Sequence, residues 1–387
     1  MIFNAYHVLF LIALVCMFLY EMASATQLRF KNKRWNAGIV PFLLICIILI
    51  LFSGLVGDIS SDHYQYIKIY NNINNMPFSS FFSFDYKISY VEKGFGLILW
   101  LVGRLINNPV GVFIVSAALI IIPIGYLAYR TENPCFFIVL YLAFGNYYDG
   151  FNVIRQVIVG GTLIISLKYL VEGKFWKFLL INLLFASIHI SALFMLPFYY
   201  LLRSRPGIKT TIIHIFIVSI LSIGFYRLLG SVDTLLFHNK YFSTGRINED
   251  SSILQIVIPS VLFILNGFIL YRFRTDKEAI TCQYLFNTVK AADDNFDYYN
   301  SCNVLYNVLY NASFYWILFW LLSLKFVYLK RITYFFLPLV LYTLAEGILA
   351  QQNKDMRIVM KIFIVIMAII YYFVFGQYFD NYILFNQ

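Results

Sequence analysis

VGVFIVSAALIIIPIGYLAY, the stretch from Val110 to Tyr129, contains no charged side chain and is closed by Arg130. A soluble helix sorts its residues into an apolar and a polar face every 3.6 positions. This one is apolar on all sides, and about 20 residues at 1.5 Å each match a hydrocarbon core roughly 30 Å thick. Working outward, comparable runs occur at about 5–20, 38–56, 135–148, 153–170, 178–201, 211–229, 253–271, 304–324, 333–350 and 359–375. Of 387 residues, 61% are hydrophobic and only 12% charged, and mean hydropathy is +0.75. A soluble protein has too little polar surface with such a composition, and a β-barrel shows alternating segments of about ten residues instead of continuous runs. The chain therefore reads as an all-α polytopic integral membrane protein with about 11 transmembrane helices (10–12), forming a single transmembrane domain over 1–387.

The net charge of +10 sits in short clusters between apolar runs, as orientation signals do, and no nucleic-acid motif accompanies it. The first run has no basic residue before it and is followed by Arg29, Lys31, Lys33 and Arg34. That order is the reverse of a cleaved signal and places the N-terminus outside. The second run then emerges at Asp58 into an external loop of about 58–93, rich in Tyr64, Tyr66, Tyr70, Phe81, Phe82 and Tyr86, part of which is expected on the membrane surface. Residues 92–106, interrupted by Arg104, read as an interfacial or partly inserted helix. Placing Arg130, Lys168, Lys174, Lys177, Arg203, Arg205, Lys209, Arg272, Lys354 and Arg357 all inside requires one extra change of direction near His189. Either 178–201 is bent or re-entrant there, or one basic loop defies the bias. A polar loop spans about 273–303. Five cysteines (Cys16, Cys46, Cys135, Cys282, Cys302) show no CxxC spacing, so no disulfide framework and no metal site are expected.

Ionisable groups near or within spans carry the functional information, because each costs several kcal/mol unless paired or wet. Arg155 follows Asp149-Gly150 and Asn152. Helical spacing groups Asn152, Arg155 and Gln156 on one face beside first-turn N–H groups, an arrangement suited to phosphate; alternatively Arg155 snorkels to the interface. His189 stands mid-run with no charged neighbour in sequence, either as a hydrogen-bonded core residue or as a general base. Asp58, Asp62 and His63 resemble an acidic cluster at the mouth of a span, or an ordinary polar loop. Glu92 is a second external carboxylate or a favourable first-turn acid. Arg331 opens a later span, as an anion contact or a plain anchor. Arg246 is a further anion candidate, and Glu346 needs a partner or a proton. No GxxxxGK[ST], HExxH or GxSxG pattern is present.

Five of these pieces occur in a recognisable order: Asp62 with Tyr66, Val91-Glu92-Lys93-Gly94-Phe95, Asn152-Val153-Ile154-Arg155-Gln156, Ser187-Ile188-His189-Ile190-Ser191-Ala192-Leu193, and Arg331-Ile332-Thr333-Tyr334-Phe335. Together, over about residues 40–340, they resemble the EpsG family of Wzy-type polysaccharide polymerases, departing at Ile188, where Phe commonly precedes the histidine. The resemblance implies a GT-C-like glycosyltransferase of the bacterial plasma membrane. It would transfer the growing glycan from undecaprenyl diphosphate to the sugar of an incoming undecaprenyl-diphosphate-linked repeat unit at the outer face. It implies a chain-length regulator as a partner protein, no cofactor and no nucleic acid. In that scheme Arg155 and Arg331 hold the diphosphate with Gln156, Asn152 and Arg246 nearby, His189 or Asp62 is the base, Glu92 orients the acceptor sugar, and no metal is required. Two alternatives stay open on the residues: another GT-C-type transferase or ligase with a polyprenyl-linked donor, and a flippase of lipid-linked oligosaccharide.

Overall fold

The structure is a computed structural model that describes residues 5–24, 27–30, 33–55, 61–83, 85, 87–144, 146–220, 253–275, 298–324, 329–349, 351 and 353–383. Helices dominate. Six are long and apolar enough to cross a membrane (Ala5–Ser24, Val110–Ala128, Ile154–Val171, Cys302–Ser323, Lys330–Ile348 and Lys354–Phe373), and five shorter apolar helices accompany them. These eleven fall on the eleven apolar runs of the sequence. The chain is an all-α polytopic membrane protein whose described residues form two compact units.

The first unit takes Met1–Ser166, Leu179–Leu193 and Ile348–Gln387. Its frame is α1 (Ala5–Ser24), α2 (Ile39–Leu55), α5 (Val110–Ala128), α6 (Pro134–Ala143) and α16 (Lys354–Ile383). In a bilayer the hydrophobic effect does not drive one helix onto another, so packing and interhelical hydrogen bonds decide. The α2–α5 contact shows both. Ser53 Oγ donates to the Phe113 carbonyl at 3.0 Å, and Gly54 admits Ile114 so closely that a Cβ there would lie 2.6 Å from Ile114 Cγ1. At one end of the frame Glu21 pairs with Lys361 and accepts from Asn133 Nδ2 at 3.0 Å. Within the helices Tyr372 stacks on Phe10 with centroids 4.1 Å apart and donates to the Tyr6 carbonyl at 2.8 Å.

At the opposite end of α2 lies the segment expected as an external loop. It contains α3 (Ser61–Asn74), a 3-10 turn at Phe78–Phe82, a hairpin of β3 (Lys87–Ile88) and β4 (Val91–Glu92), and α4 (Lys93–Leu105). The α3 helix buries His63, Tyr66, Tyr70 and Ile73, one stripe at helical spacing, and leaves Tyr64 and Lys68 exposed. Its neighbour α4 turns Phe95, Leu99 and Val102 inward and exposes Leu97, Leu101 and Leu105, apolar on both sides as an interfacial helix requires. The β3–β4 turn holds Ser89 and Tyr90 at φ of 49° and 72°. Positive φ at both central residues is the type I′ pattern that matches strand twist, though such residues cost of order 1–3 kcal/mol each without glycine. That turn fixes where Glu92 points.

The second unit takes Leu167–Phe178 and Phe194–Gly347: α11 (Phe198–Arg203), α12 (Ile208–Ile220), α13 (Ile253–Thr275), α14 (Tyr298–Ser323) and α15 (Lys330–Leu349). Phe198 meets Tyr315 edge-on at 4.8 Å and Phe319 stacks on Phe336. Asn311 on α14 donates its amide to carbonyls at the end of α11, Leu202 at 3.0 Å and Ser204 at 2.9 Å, in place of the capping that a helix C-terminus lacks.

The change of direction required near His189 is real. From α10 (Phe175–Ala186) the chain turns at 187–189, forms a 3-10 helix at Ile190–Met195 and enters α11. Arg203 at its end donates to the carbonyls of Leu170 and Val171, the latter at 3.1 Å. The chain thus returns after the turn to the end of the segment it left, beside Leu170 and Val171.

Two expectations need correction. Residues 27–30 and 33–36, read as loop, form the paired antiparallel strands β1 (Gln27–Phe30) and β2 (Lys33–Asn36); a 20-residue hydropathy window cannot register four-residue strands. Cys302 is disulfide-bonded, while Cys16, Cys46 and Cys135 are free; a test for CxxC spacing is blind to pairs that the fold closes.

Candidate active site

Glu92 ends β4 and stands as the residue before α4, with φ −63° and ψ 145°, yet its side chain caps none of its own helix. It turns inward and is 3% exposed. Its Oε2 accepts from Arg155, and its Oε1 lies 2.8 Å from His189 Nδ1 and accepts from the Ile190 N–H at 3.2 Å. Burial alone pushes a carboxyl up, but the hydrogen bond from His189 and the Arg155 charge outweigh it and hold Glu92 down at about 2. Glu92 is therefore a carboxylate, an acceptor for an N–H at His189 Nδ1. In the neutral tautomer that donates from Nδ1, Nε2 is an acceptor.

Arg155 reaches this carboxylate from the start of α8 (Ile154–Gly160). Its guanidinium also bonds the Tyr66 hydroxyl, and Tyr66, one helical turn beyond Asp62 on α3, is buried with its ring edge-on to Phe95 at 5.9 Å. Asp62 lies close enough to act on the Tyr66 phenol electrostatically. The side chains of His189 and Arg155 are each 22% exposed against 3% for Glu92, so the histidine and arginine are reachable and the carboxylate is closed off. Three polar atoms of this neighbourhood, Arg155 Nε, Asn152 Oδ1 and Ser191 Oγ, are buried without a hydrogen-bond partner among the described residues. Orphaned buried polar atoms are costly unless another group satisfies them.

The structure thus brings together Asp62, Glu92, Asn152, Arg155, Gln156 and His189 in one unit, from four separate stretches of sequence. Several assigned details change. Asn152 ends α7 (Asn146–Asn152), and Val153 is the residue that precedes α8, so Asn152 caps no helix. The N–H groups of Gln156 and Val157 both donate to the Val153 carbonyl, which removes them as anion ligands and leaves that task to side chains. Gln156 is buried. Glu92, engaged by three donors, has no free face for a sugar; it holds the imidazole instead. His63 lies flat on Phe113 with centroids 3.9 Å apart, turned into the core, and among the described residues no group of three or more His, Cys, Asp or Glu is arranged to hold a metal. Arg331 is exposed on α15, in the second unit, where Glu346 is fully buried. Arg246, Asp58 and most of the polar loop lie outside the described residues. Tyr66 and Ser191 were absent from the sequence-derived site, although the Asp-x-x-x-Tyr spacing already put Tyr66 on the face of Asp62.

Fold and site define a polytopic helical membrane protein with a carboxylate shared between an arginine and a histidine. Within that class the chain belongs to the EpsG family, whose sequence model matches residues 39–385, and EpsG family members are Wzy-like polymerases. Comparison with curated proteins and with solved structures finds no match.

Proposed function

We propose that this polysaccharide polymerase-type membrane protein is a glycosyltransferase that joins repeat units carried on undecaprenyl diphosphate. The observation that carries the reading is the Glu92 carboxylate shared by Arg155 and His189. Glycosyl transfer from a lipid diphosphate needs a base for the incoming hydroxyl and a cation for the leaving diphosphate. Glu92 fixes the Nδ1 proton, so His189 Nε2 accepts the proton of an acceptor sugar hydroxyl as its oxygen attacks the anomeric carbon. The anomeric C–O bond to phosphate breaks, and undecaprenyl diphosphate leaves with the bonding electrons. Arg155 keeps its Nε unpartnered, and a guanidinium is a permanent charge with a planar donor array suited to phosphate. A diphosphate exceeds the charge of one arginine, so a second cation is expected beside Arg155. Asp62 acts on Tyr66 from α3, and Glu92 positions His189.

The active face is assigned to the outside of the plasma membrane. Loop one with Arg29, Lys33 and Arg34 lies between α1 and α2, and the site lies beyond the other end of α2; positive residues favour the cytoplasmic side. A chain-length regulator protein belongs to this proposal as a partner.

The test is polymerisation by purified protein in nanodiscs supplied with undecaprenyl-diphosphate-linked repeat units of its host. Wild type is expected to produce a ladder, and folded Arg155→Ala and His189→Ala to lose it by about 100-fold or more, the usual weight of a general base or of a charge-stabilising donor. Normal ladders from both variants overturn the site. No ladder from folded wild type, with movement of the lipid across a liposome membrane, establishes a flippase instead.

A further inference from the structure

Two helical segments exchange their N-terminal partners at this site. The first turn of any helix leaves amides unsatisfied, and the preceding side chain ordinarily serves them. Here Glu92 serves not its own helix α4 but the N–H of Ile190, the first residue of the 3-10 helix at Ile190–Met195, at 3.2 Å. In return the Gly94 N–H in the first turn of α4 donates to the Ser187 carbonyl at 2.8 Å. The exchange ties the re-entrant tip to the β4–α4 corner at two points, one on each side of His189.

Close approach is possible because position 94 has no side chain. A Cβ there would lie 2.2 Å from Ser187 Oγ, 2.6 Å from its carbonyl oxygen and 2.7 Å from its carbonyl carbon. The hydroxyl can rotate away, but the backbone carbonyl cannot without moving the tip. Since α10 ends at Ala186, His189 sits beyond the helix, and the docking of the tip sets where its imidazole falls.

We propose that Gly94 is a positioning residue for the His189–Glu92 pair: it seats the 187–191 tip so that the imidazole meets the carboxylate at 2.8 Å. The inference rests on the reading of His189 as the base. A methyl at 94 displaces the tip by about an ångström. Hydrogen bonds weaken steeply with such shifts, and misplacement of that size costs on the order of 100-fold in rate.

The experiment uses the full chain in nanodiscs and compares wild type, Gly94→Ala and Gly207→Ala, in which the added Cβ meets only Thr210 Oγ1 at 3.7 Å. Diethyl pyrocarbonate modification is followed residue by residue by peptide mass spectrometry. Gly94→Ala is expected to modify His189 roughly tenfold faster, the factor set by losing one charge-assisted hydrogen bond. His7, His63 and His214 keep wild-type rates, kcat for ladder formation falls about 100-fold with KM little changed, and Gly207→Ala matches wild type throughout. Unchanged His189 reactivity in folded Gly94→Ala overturns the proposal, whether or not a ladder is ever seen. Wild type without a ladder sinks the polymerase reading alone, and the labelling still decides the seat. If His7, His63 and His214 accelerate together with His189, the variant has lost its fold and wild-type hydrogen exchange decides: Gly94 and Ile190 amides opening together with equal protection support the seat, and independent opening overturns it.

Discussion

Glu92→Gln is nearly isosteric, so it removes a charge while leaving the shape of the site. In the wild type an ordinary carboxyl at 4.5 is held at about 2, and two and a half pH units of preference for the ionised form amount to about 3 kcal/mol. Because the folded value is depressed, this stabilisation is complete above 4.5 and is lost as pH falls through about 2. The glutamine keeps one acceptor for Arg155 or for His189 Nδ1 but not for both, and turns an N–H group toward one of them. Breaking a buried pair from one side costs about 3–5 kcal/mol, which agrees with the linkage figure. We therefore expect Glu92→Gln to be less stable than wild type by about 3 kcal/mol at pH 7, with the gap shrinking to about half by pH 3, where the unfolded wild type has taken up the proton and the folded one has not. Detergent unfolding titrations of both proteins, followed by tryptophan fluorescence between pH 7 and 3, measure the gap. A variant as stable as wild type at pH 7, or a gap that does not change with pH, refutes the shared-carboxylate reasoning.

Tyr66→Phe keeps the ring against Phe95 but leaves an Arg155 donor unsatisfied; a loss of about 1–3 kcal/mol in the same titration and slower ladder formation are expected, and an unaltered protein contradicts the Tyr66–Arg155 bond. Asn311→Ala strips the carbonyls at the end of α11 of a shared donor, and unfolding should become easier by about 1–3 kcal/mol while the reactivity of His189 toward diethyl pyrocarbonate stays as in wild type; equal stability would show that other groups serve those carbonyls.

The helices were legible because a bilayer demands about 20 apolar residues per crossing, a signal that a run such as 110–129 carries without help from its neighbours. The reversal near His189 was legible only indirectly, as a failure of basic clusters to alternate, and it took the Arg203 contacts with Leu170 and Val171 to show how the chain returns. That Glu92, Arg155 and His189 need partners was readable, since each poses a burial problem. Their division of labour was not. No spacing rule shows that Glu92 is consumed by two other members of the site, or that Val153 and not Asn152 precedes α8. The glycine in Glu92-Lys93-Gly94-Phe95 looked like part of a motif, and its reason lies in a carbonyl 93 residues further along the chain, at Ser187.

The bond from Tyr372 to the Tyr6 carbonyl joins positions 366 residues apart. At a synthesis rate of about 5–20 residues per second, roughly 20–70 seconds separate the making of its two halves. During that interval α1 is already a membrane helix, and the face carrying Phe10 and Tyr6 waits for the ring that will cover it. Until then α2, α6 and the α7 rings of Tyr148 and Phe151 are among the neighbours that hold it. Assembly of the first unit is thus completed late, by α16, so a ribosome that stalls before residue 372 leaves behind an inserted protein with an open flank, the kind of surface that membrane quality control removes.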